Sequence, residues 1–238
     1  MKLITKIISV IILVICLLGA PRLGSLVADM FDYSNIDPNG AFMWISVHHI
    51  VQALLILLVI LLLSKRYKVD FSLGMGHKDV GYNYLKKFIL YFSIYVFVVF
   101  AITVLSNGLP SFQYPLNLRN ISGYLGFQLL LSGPSEELIF RAFAMTVFIL
   151  LVSDKRISKH LSYANLFAAI VFGIAHMSIT FAPFNMSFDT SQVLLAIGLG
   201  LIYGDCYEKS RSVVYPMMMH SFSNILMVGV TIILSFFN

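Results

Sequence analysis

Runs of apolar residues repeat almost from one end of this 238-residue chain to the other. A run of about 18 or more apolar residues is long enough to cross the hydrocarbon core of a bilayer as a helix. The pattern therefore predicts an all-α fold, a polytopic transmembrane helical bundle of about seven helices, in which residues 1–238 form a single integral membrane domain. The seven predicted segments lie at about 4–20, 44–64, 88–106, 121–151, 162–178, 191–207 and 213–237.

The composition separates this chain from soluble proteins, because 59% of its residues are hydrophobic and only 11% are charged. The net charge of +5 is typical of some nucleic-acid-binding proteins, but the basic residues lie in short segments between the apolar runs. That distribution indicates membrane topology, so we expect a lipid bilayer and no nucleic acid as partner. The two cysteines, Cys16 and Cys206, are far apart and indicate neither a disulfide framework nor a cysteine metal site.

Lysine and arginine are concentrated in alternate loops, which predicts the orientation in the membrane. The N-terminus should be cytoplasmic and the C-terminus outside, in a multi-pass protein of the cell membrane. The first segment ends in small residues before Pro21, as a signal peptide would, but a proline directly after the site disfavours cleavage. We expect this segment to be retained as a helix. The basic residues assigned to the cytoplasm are Lys2, Lys6, Lys65, Arg66, Lys68, Lys78, Lys86, Lys87, Lys155, Arg156, Lys159, Lys209 and Arg211.

The fourth segment carries three ionisable residues near its middle, Glu136, Glu137 and Arg141. Charges at that depth are costly unless they are paired, so they are by default a functional hypothesis. Glu137 and Arg141 are four residues apart and share one helix face, which predicts an ion pair. Glu136 is rotated by about 100° from Glu137 around the helix axis, so it faces elsewhere and is the better candidate for a reactive base. Gly133 and Pro134 predict a kink that leaves backbone carbonyls in need of other partners.

Two later segments contain polar side chains that should also face the interior. Phe172 and His176 near the end of the fifth segment, and His220 and Asn224 in the seventh, are spaced by four residues. A histidine or asparagine that faced lipid would be penalised, so both pairs should turn into the bundle. A single buried histidine is more often a structural hydrogen-bonding residue, but three helices that offer Glu, His and Asn together indicate a functional site.

The other polar or small residues have structural interpretations. The Gly200-x-x-x-Gly204 spacing predicts close packing with another helix. Asp205 should reach water at the cytoplasmic end of its helix, beside Glu208, Lys209 and Arg211. The remaining histidines are interpreted as interfacial beside Trp44 or as residues of basic loops; they are His48 and His49 in the first group and His77 and His160 in the second.

The polar motifs occur in a fixed order, E-E-x-x-x-R at residues 136–141, F-x-x-x-H at 172–176 and H-x-x-x-N at 220–224. In these motifs the sequence resembles the CPBP family, the CAAX protease and bacteriocin-processing enzymes formerly called the Abi family. The resemblance covers residues of about 120–230, and no matching motif lies upstream. It implies an intramembrane glutamate-dependent endopeptidase.

The resemblance also implies roles for the motif residues. Glu136 and His176 would polarise a water for attack on a peptide carbonyl, and His220 and Asn224 would stabilise the developing oxyanion. Glu137 and Arg141 would form a structural pair that keeps Glu136 oriented. No cofactor is expected, although one glutamate and two histidines would also suit zinc or another divalent ion.

Two other classes of function stay open from the sequence. The same bundle could be a proton-relay transporter, or a non-proteolytic membrane regulator that acts on a membrane-protein partner. Because all the family's motif positions are filled, we expect an active peptidase with a peptide or membrane-protein substrate. Roles in bacteriocin immunity and in peptide-signal maturation are both compatible with the motifs.

Overall fold

The computed structural model of the protein describes residues 3–181 and 184–238. Helices dominate this part of the chain, which confirms the predicted all-α bundle of about seven helices. Lys2, which entered the orientation prediction, lies outside the described residues. The helices are α1 (Leu3–Ala28), α2 (Met43–Tyr67), α3 (Lys78–Asn107), α4 (118–151), α5 (Tyr163–Ala175), α6 (Thr190–Ser210) and α7 (Val214–Ser235).

Four of the helices, α1, α2, α3 and α7, are long and apolar enough to cross a membrane, and α5 is a shorter apolar helix. Large apolar side chains along these helices are exposed, for example Leu62 on α2 and Phe97 on α3. Such extensive exposed apolar surface is typical of a protein in contact with lipid, not water. The chain is therefore a membrane protein. Its assignment as one domain, with a core at about 120–230, stays a prediction.

Helix α1 is longer than the sequence predicted, because it continues through Pro21 to Ala28. Leu13 and Leu17 on α1 are buried in the same core cluster as Ile56 and Ile60 of α2. Retention or removal of α1 stays a prediction.

Helix α4 is continuous but not regular. Its hydrogen bonding widens to the π-helical pattern at Gln128–Ser132 and again at Leu138–Met145, with α-helical Gly133–Glu137 between them. The predicted kink residues, Gly133 and Pro134, thus directly follow the first π-helical segment. Such π segments are rare and occur frequently at functional sites.

Two short β-hairpins, which the sequence did not predict, follow α4 and α5. Strands β1 (Arg156–Ser158) and β2 (Leu161–Ser162) form the first, and β3 (Ser178–Phe181) and β4 (Phe184–Ser187) form the second. The second hairpin replaces the predicted continuation of the fifth segment to residue 178, because α5 ends at Ala175.

The glycines of α6 allow the close packing that their spacing predicted. A methyl group at Gly204 would lie 1.9 Å from Oδ1 of Asn165 on α5, and one at Gly200 would lie 3.2 Å from Cα of Ala169. Asn165 is held in place because its amide donates to the carbonyl of Leu201 at 2.9 Å. Helices α5 and α6 are consequently in direct contact beside the polar residues of α4 and α7.

Candidate active site

The predicted ion pair of α4 is present and fully buried. Nε of Arg141 lies 2.9 Å from Oε2 of Glu137, and both side chains have no exposed surface. The guanidinium carbon of Arg141 also lies 5.1 Å from the ring centre of Phe172 and 6.0 Å from that of Tyr203. Each charge of the pair is therefore compensated by the other, and the aromatic faces provide a further favourable environment for the cation.

His220 lies between the two glutamates. Its Nδ1 is 2.9 Å from Oε1 of Glu137, and its Nε2 is 3.7 Å from Oε2 of Glu136. Since an ionised carboxylate only accepts hydrogen bonds, Nδ1 of His220 must donate to Glu137. This bond fixes the ring so that Nε2 faces Glu136. The side chain of Glu136 is 19% exposed, in contrast to the enclosed Glu137.

A glycine and a proline bring α4 and α7 together at this point. A methyl group at Gly133 would lie 2.8 Å from the backbone nitrogen of Ser221 and 3.1 Å from Cβ of His220, so only glycine permits the approach. Pro134 has no N–H, and the carbonyl of Leu129, five residues earlier, instead accepts from the Ser221 hydroxyl at 2.8 Å. The freed carbonyl predicted from the sequence thus finds its partner on α7.

Asn224, one turn after His220, also faces α4. Its amide nitrogen donates to Oγ of Ser132 at 3.0 Å. Because an amide NH₂ carries two protons, this bond leaves one of them for another acceptor. Asn224 and His220 therefore lie on the same side of α7, as their spacing predicted.

His176 lies just beyond the end of α5, not within the helix. Its Nδ1 donates to the carbonyl of Phe172 at 2.8 Å, which leaves Nε2 without the proton in the neutral ring. The ring of Phe172 is 4.6 Å from that of His176 and 5.8 Å from that of His220. In the described part of the chain no hydrogen bond or ion pair joins His176 to Glu136, so the two are linked only through these neighbours.

His49 is a residue of this site that sequence analysis missed. It was predicted to be interfacial, but it is only 6% exposed, and its Nε2 lies 4.0 Å from Oε1 of Glu136. Its Nδ1 lies 2.6 Å from Oγ of Ser135 and 3.0 Å from Nε2 of Gln52. The signal was present in the sequence as a polar pair, His49 and Gln52, on one face of an apolar helix. The adjacent His48 does contact Trp44, at 5.4 Å between ring centres.

Tyr203 of α6 was also missed. It is fully buried, its ring stacks on that of His220 at 5.3 Å, and its hydroxyl is 2.9 Å from Oγ of Ser223. The stacking restrains the His220 ring, which also has an edge contact with Phe172. A tyrosine in a glycine-rich helix gives no sequence signal that distinguishes it from an ordinary core residue.

The interpretation of Asp205 as a residue that extends into water was wrong. Asp205 is buried, and its Oδ2 accepts from the Tyr84 hydroxyl at 2.5 Å and from Nζ of Lys209 at 3.0 Å. Nδ1 of His160, which had been assigned to a basic loop, lies 2.9 Å from the same oxygen. These partners come from α3, from the first hairpin and from α6, so Asp205 joins three parts of the chain.

Among the described residues, no group of three or more His, Cys, Asp or Glu side chains is arranged to hold a metal ion. The nearest approach to such a group is Glu136 with the Nε2 atoms of His49 and His220, at 4.0 and 3.7 Å. In this arrangement Nε2 of His49 faces one oxygen of the Glu136 carboxylate, and Nε2 of His220 faces the other.

No curated protein and no solved structure gave a significant match to the chain. Residues 119–226 match the family model described as Type II CAAX prenyl endopeptidase Rce1-like. The matched range contains Glu136, Glu137, Arg141, His176 and His220, and also Asn224. The resemblance predicted from the motifs is thereby confirmed: over residues 119–226, this membrane protein is similar to the CAAX protease family of endopeptidases.

Proposed function

We propose that this protein is an intramembrane endopeptidase in which Glu136 activates a water for hydrolysis of a peptide bond. The observation that carries the proposal is the position of His220, with Nδ1 held by Glu137 and Nε2 directed at Glu136. A histidine fixed by one carboxylate and presented to a second group is a recurrent arrangement in sites of proton transfer.

The two glutamates differ in a way that supports separate roles. Glu137 is enclosed and bound to Arg141 and His220, so it orients its neighbours. Glu136 is partly exposed, so it can meet water. In the proposed reaction Glu136 takes a proton from water while the water oxygen bonds to the carbonyl carbon. The C–N bond then breaks, and Glu136 returns the proton to the leaving amine.

His176 and Asn224 complete the proposed machinery. Nδ1 of His176 is committed to the carbonyl of Phe172, so its Nε2 can accept a hydrogen bond from the attacking water. Asn224 keeps one amide proton beyond its bond to Ser132, and we assign this proton to the oxyanion that forms on the carbonyl oxygen. We assign His220 to the same oxyanion as the imidazolium, which carries a proton on Nε2 while Nδ1 donates to Glu137.

The proposed substrate is a peptide or membrane protein whose scissile bond reaches the bilayer, because Glu136 lies within an apolar helix of a membrane protein. Bacteriocin immunity and the maturation of a peptide signal are two cellular roles that such an activity would serve. We also propose that no metal takes part. Glu137 and Arg141 already bind each other, and Nδ1 of His220 is bound to Glu137.

The experiment is a cleavage assay on purified, detergent-solubilised protein with a panel of membrane peptides, read by mass spectrometry with and without a chelator. We expect complementary fragments in both conditions. Loss of cleavage with the chelator, restored by zinc, would contradict the metal-free mechanism. A parallel measurement of proton flux in proteoliposomes should show none above protein-free vesicles. Flux that depends on Glu136, without cleavage of any peptide, would instead identify a proton relay.

A further inference from the structure

His49 lies outside the matched range 119–226, yet its Nε2 is 4.0 Å from Oε1 of Glu136. We infer that His49 is a positioning residue of the glutamate site: its Nε2–H orients the Glu136 carboxylate, which His220 faces on its other oxygen. This inference rests on the proposed function, because it assigns His49 a role through Glu136. It extends the site to α2, a helix that carries none of the recognised motifs.

The His49 ring is fixed in the position that this role needs. Oγ of Ser135 lies 2.6 Å from its Nδ1, and Nε2 of Gln52 lies 3.0 Å from the same atom. The ring also packs edge-on against Phe127 at 5.0 Å. A side chain with these contacts on one nitrogen and one face has little freedom to rotate, so Nε2 stays directed at Glu136.

The hydrogen bonds also indicate where the ring proton is. Nε2 of Gln52 is an amide nitrogen and can only donate, so Nδ1 of His49 accepts. The Ser135 hydroxyl, 2.6 Å from the same nitrogen, then directs its single proton at Nδ1 and not at the more distant carbonyl of Ser132. The proton of the neutral ring is then on Nε2, where it faces the negative charge of Glu136.

The position of Ser135 ties this contact to the chemistry of α4. Ser135 directly precedes Glu136, and its hydroxyl lies 3.1 Å from the carbonyl of Ser132, whose side chain accepts from Asn224. His49 therefore contacts the segment that carries the proposed base at two points, Ser135 and Glu136. A change of the ring would displace the carboxylate, and small displacements of a reacting group can cost on the order of 10²-fold in rate.

A pair of substitutions separates positioning from simple packing. In His49→Gln the terminal amide takes the place of Nε2 and still directs an N–H at Glu136. In His49→Asn the shorter amide takes the place of Nδ1 and keeps only the contact with Ser135. We expect His49→Gln to retain kcat within a few-fold of wild type, and His49→Asn to lose on the order of 10²-fold in kcat with KM unchanged. His48→Ala is a control on the same helix: it removes the contacts with Ser25 and Trp44 and an edge-on contact with the His49 ring, but no contact with Glu136, and it should retain activity.

The expected order would be reversed if His49 served only to join α2 to α4, since Asn would then preserve function better than Gln. Equal activity of the two variants, whether both high or both low at matched thermal stability, would also overturn the inference. Cleavage by Glu136→Gln as fast as by wild type would instead remove the proposed function on which it rests.

A second readout does not depend on activity. In ¹⁵N NMR of histidine-labelled protein, the His49 resonances, identified by their loss in His49→Gln, should report a proton on Nε2 and none on Nδ1. Glu136→Gln should shift the Nε2 resonance of His49. A proton on Nδ1, or a resonance that does not respond to Glu136→Gln, would overturn the inference even if Glu136 proved essential for cleavage.

Discussion

Charge in the centre of the bundle is balanced by contacts among a few residues. Glu137 is bound on one side by Arg141 and on the other by His220, and none of the three could be moved without exposing a charge to an apolar interior. Glu136 is the carboxylate that stays accessible. Removal of different members of this group should therefore affect stability and catalysis to different extents.

Replacement of Arg141 by alanine should destabilise the protein most, because it leaves the Glu137 carboxylate buried with a single histidine partner. We expect a loss of about 3–5 kcal/mol in the free energy of unfolding, with loss of activity, as is typical when one member of a buried pair is removed. Thermal or denaturant unfolding in detergent measures the effect. Arg156→Ala is the matched control. The side chain of Arg156 is partly exposed in its ion pair with Glu208, so only about 0–1 kcal/mol of the free energy of unfolding should be lost.

Asn224→Ala tests the proposed oxyanion donor. We expect kcat to fall by roughly 10²–10³-fold with little change in KM or in thermal stability, which is the effect of losing one such donor. Ser132→Ala removes only the other end of the Asn224 hydrogen bond and should cost less activity. Equal losses in the two variants would mean that Asn224 serves to hold α4 and not to bind the oxyanion.

Much of this site could be predicted at the level of residue types and spacing. The Glu137–Arg141 pair and the shared face of His220 and Asn224 followed from helix geometry alone. His49 and Asp205 were misinterpreted because their partners lie far along the chain: Ser135 is 86 residues from His49. Spacing within one helix gives no information on such contacts. The catalytic roles predicted for Glu136, His176, His220 and Asn224, and the orienting role of Glu137 and Arg141, stay predictions.

The helices themselves differ in how far the sequence determines them. Long apolar runs predicted α2 and α3 well, because burial in lipid and backbone hydrogen bonding favour the same structure. The first π-helical segment of α4 could not be predicted, since one of its carbonyls, that of Leu129, accepts from the Ser221 hydroxyl of another helix. The end of α5 at Ala175 was missed because the residues after it form a hairpin with residues 184–187.

The contact between helices α5 and α6 can be tested by substitution of a glycine at their interface. Gly204→Ala should destabilise the protein by roughly 1–3 kcal/mol, because the new methyl group would overlap the fixed side chain of Asn165. Gly198→Ala, on the same helix, meets nothing within 4 Å and should be neutral or slightly stabilising. Unfolding temperatures of the two variants in one detergent provide the measurement. Equal stability would show that α6 does not pack on α5 through Gly204.

The whole molecule has an orientation that the distribution of basic residues predicts. With the N-terminus inside, the loop between α1 and α2 lies outside and the first hairpin lies in the cytoplasm. In a cysteine-free background, Asn39→Cys should react with an impermeant thiol reagent in intact cells, whereas Lys155→Cys should react only after permeabilisation. Cys16 is exposed and must be replaced first. Labelling with the opposite sidedness would reverse the proposed topology.

Helices from distant parts of the chain present His49 and His220 to one carboxylate, Glu136, and we propose that this carboxylate is the reactive one. The most direct measurement is the single-turnover cleavage rate of Glu136→Gln, beside wild type and the control Glu208→Gln, with the unfolding temperature of each. We predict a loss of about 10³-fold or more for Glu136→Gln, unchanged folding, and near-normal cleavage by Glu208→Gln. A folded Glu136→Gln protein that cleaves at the wild-type rate would contradict the account.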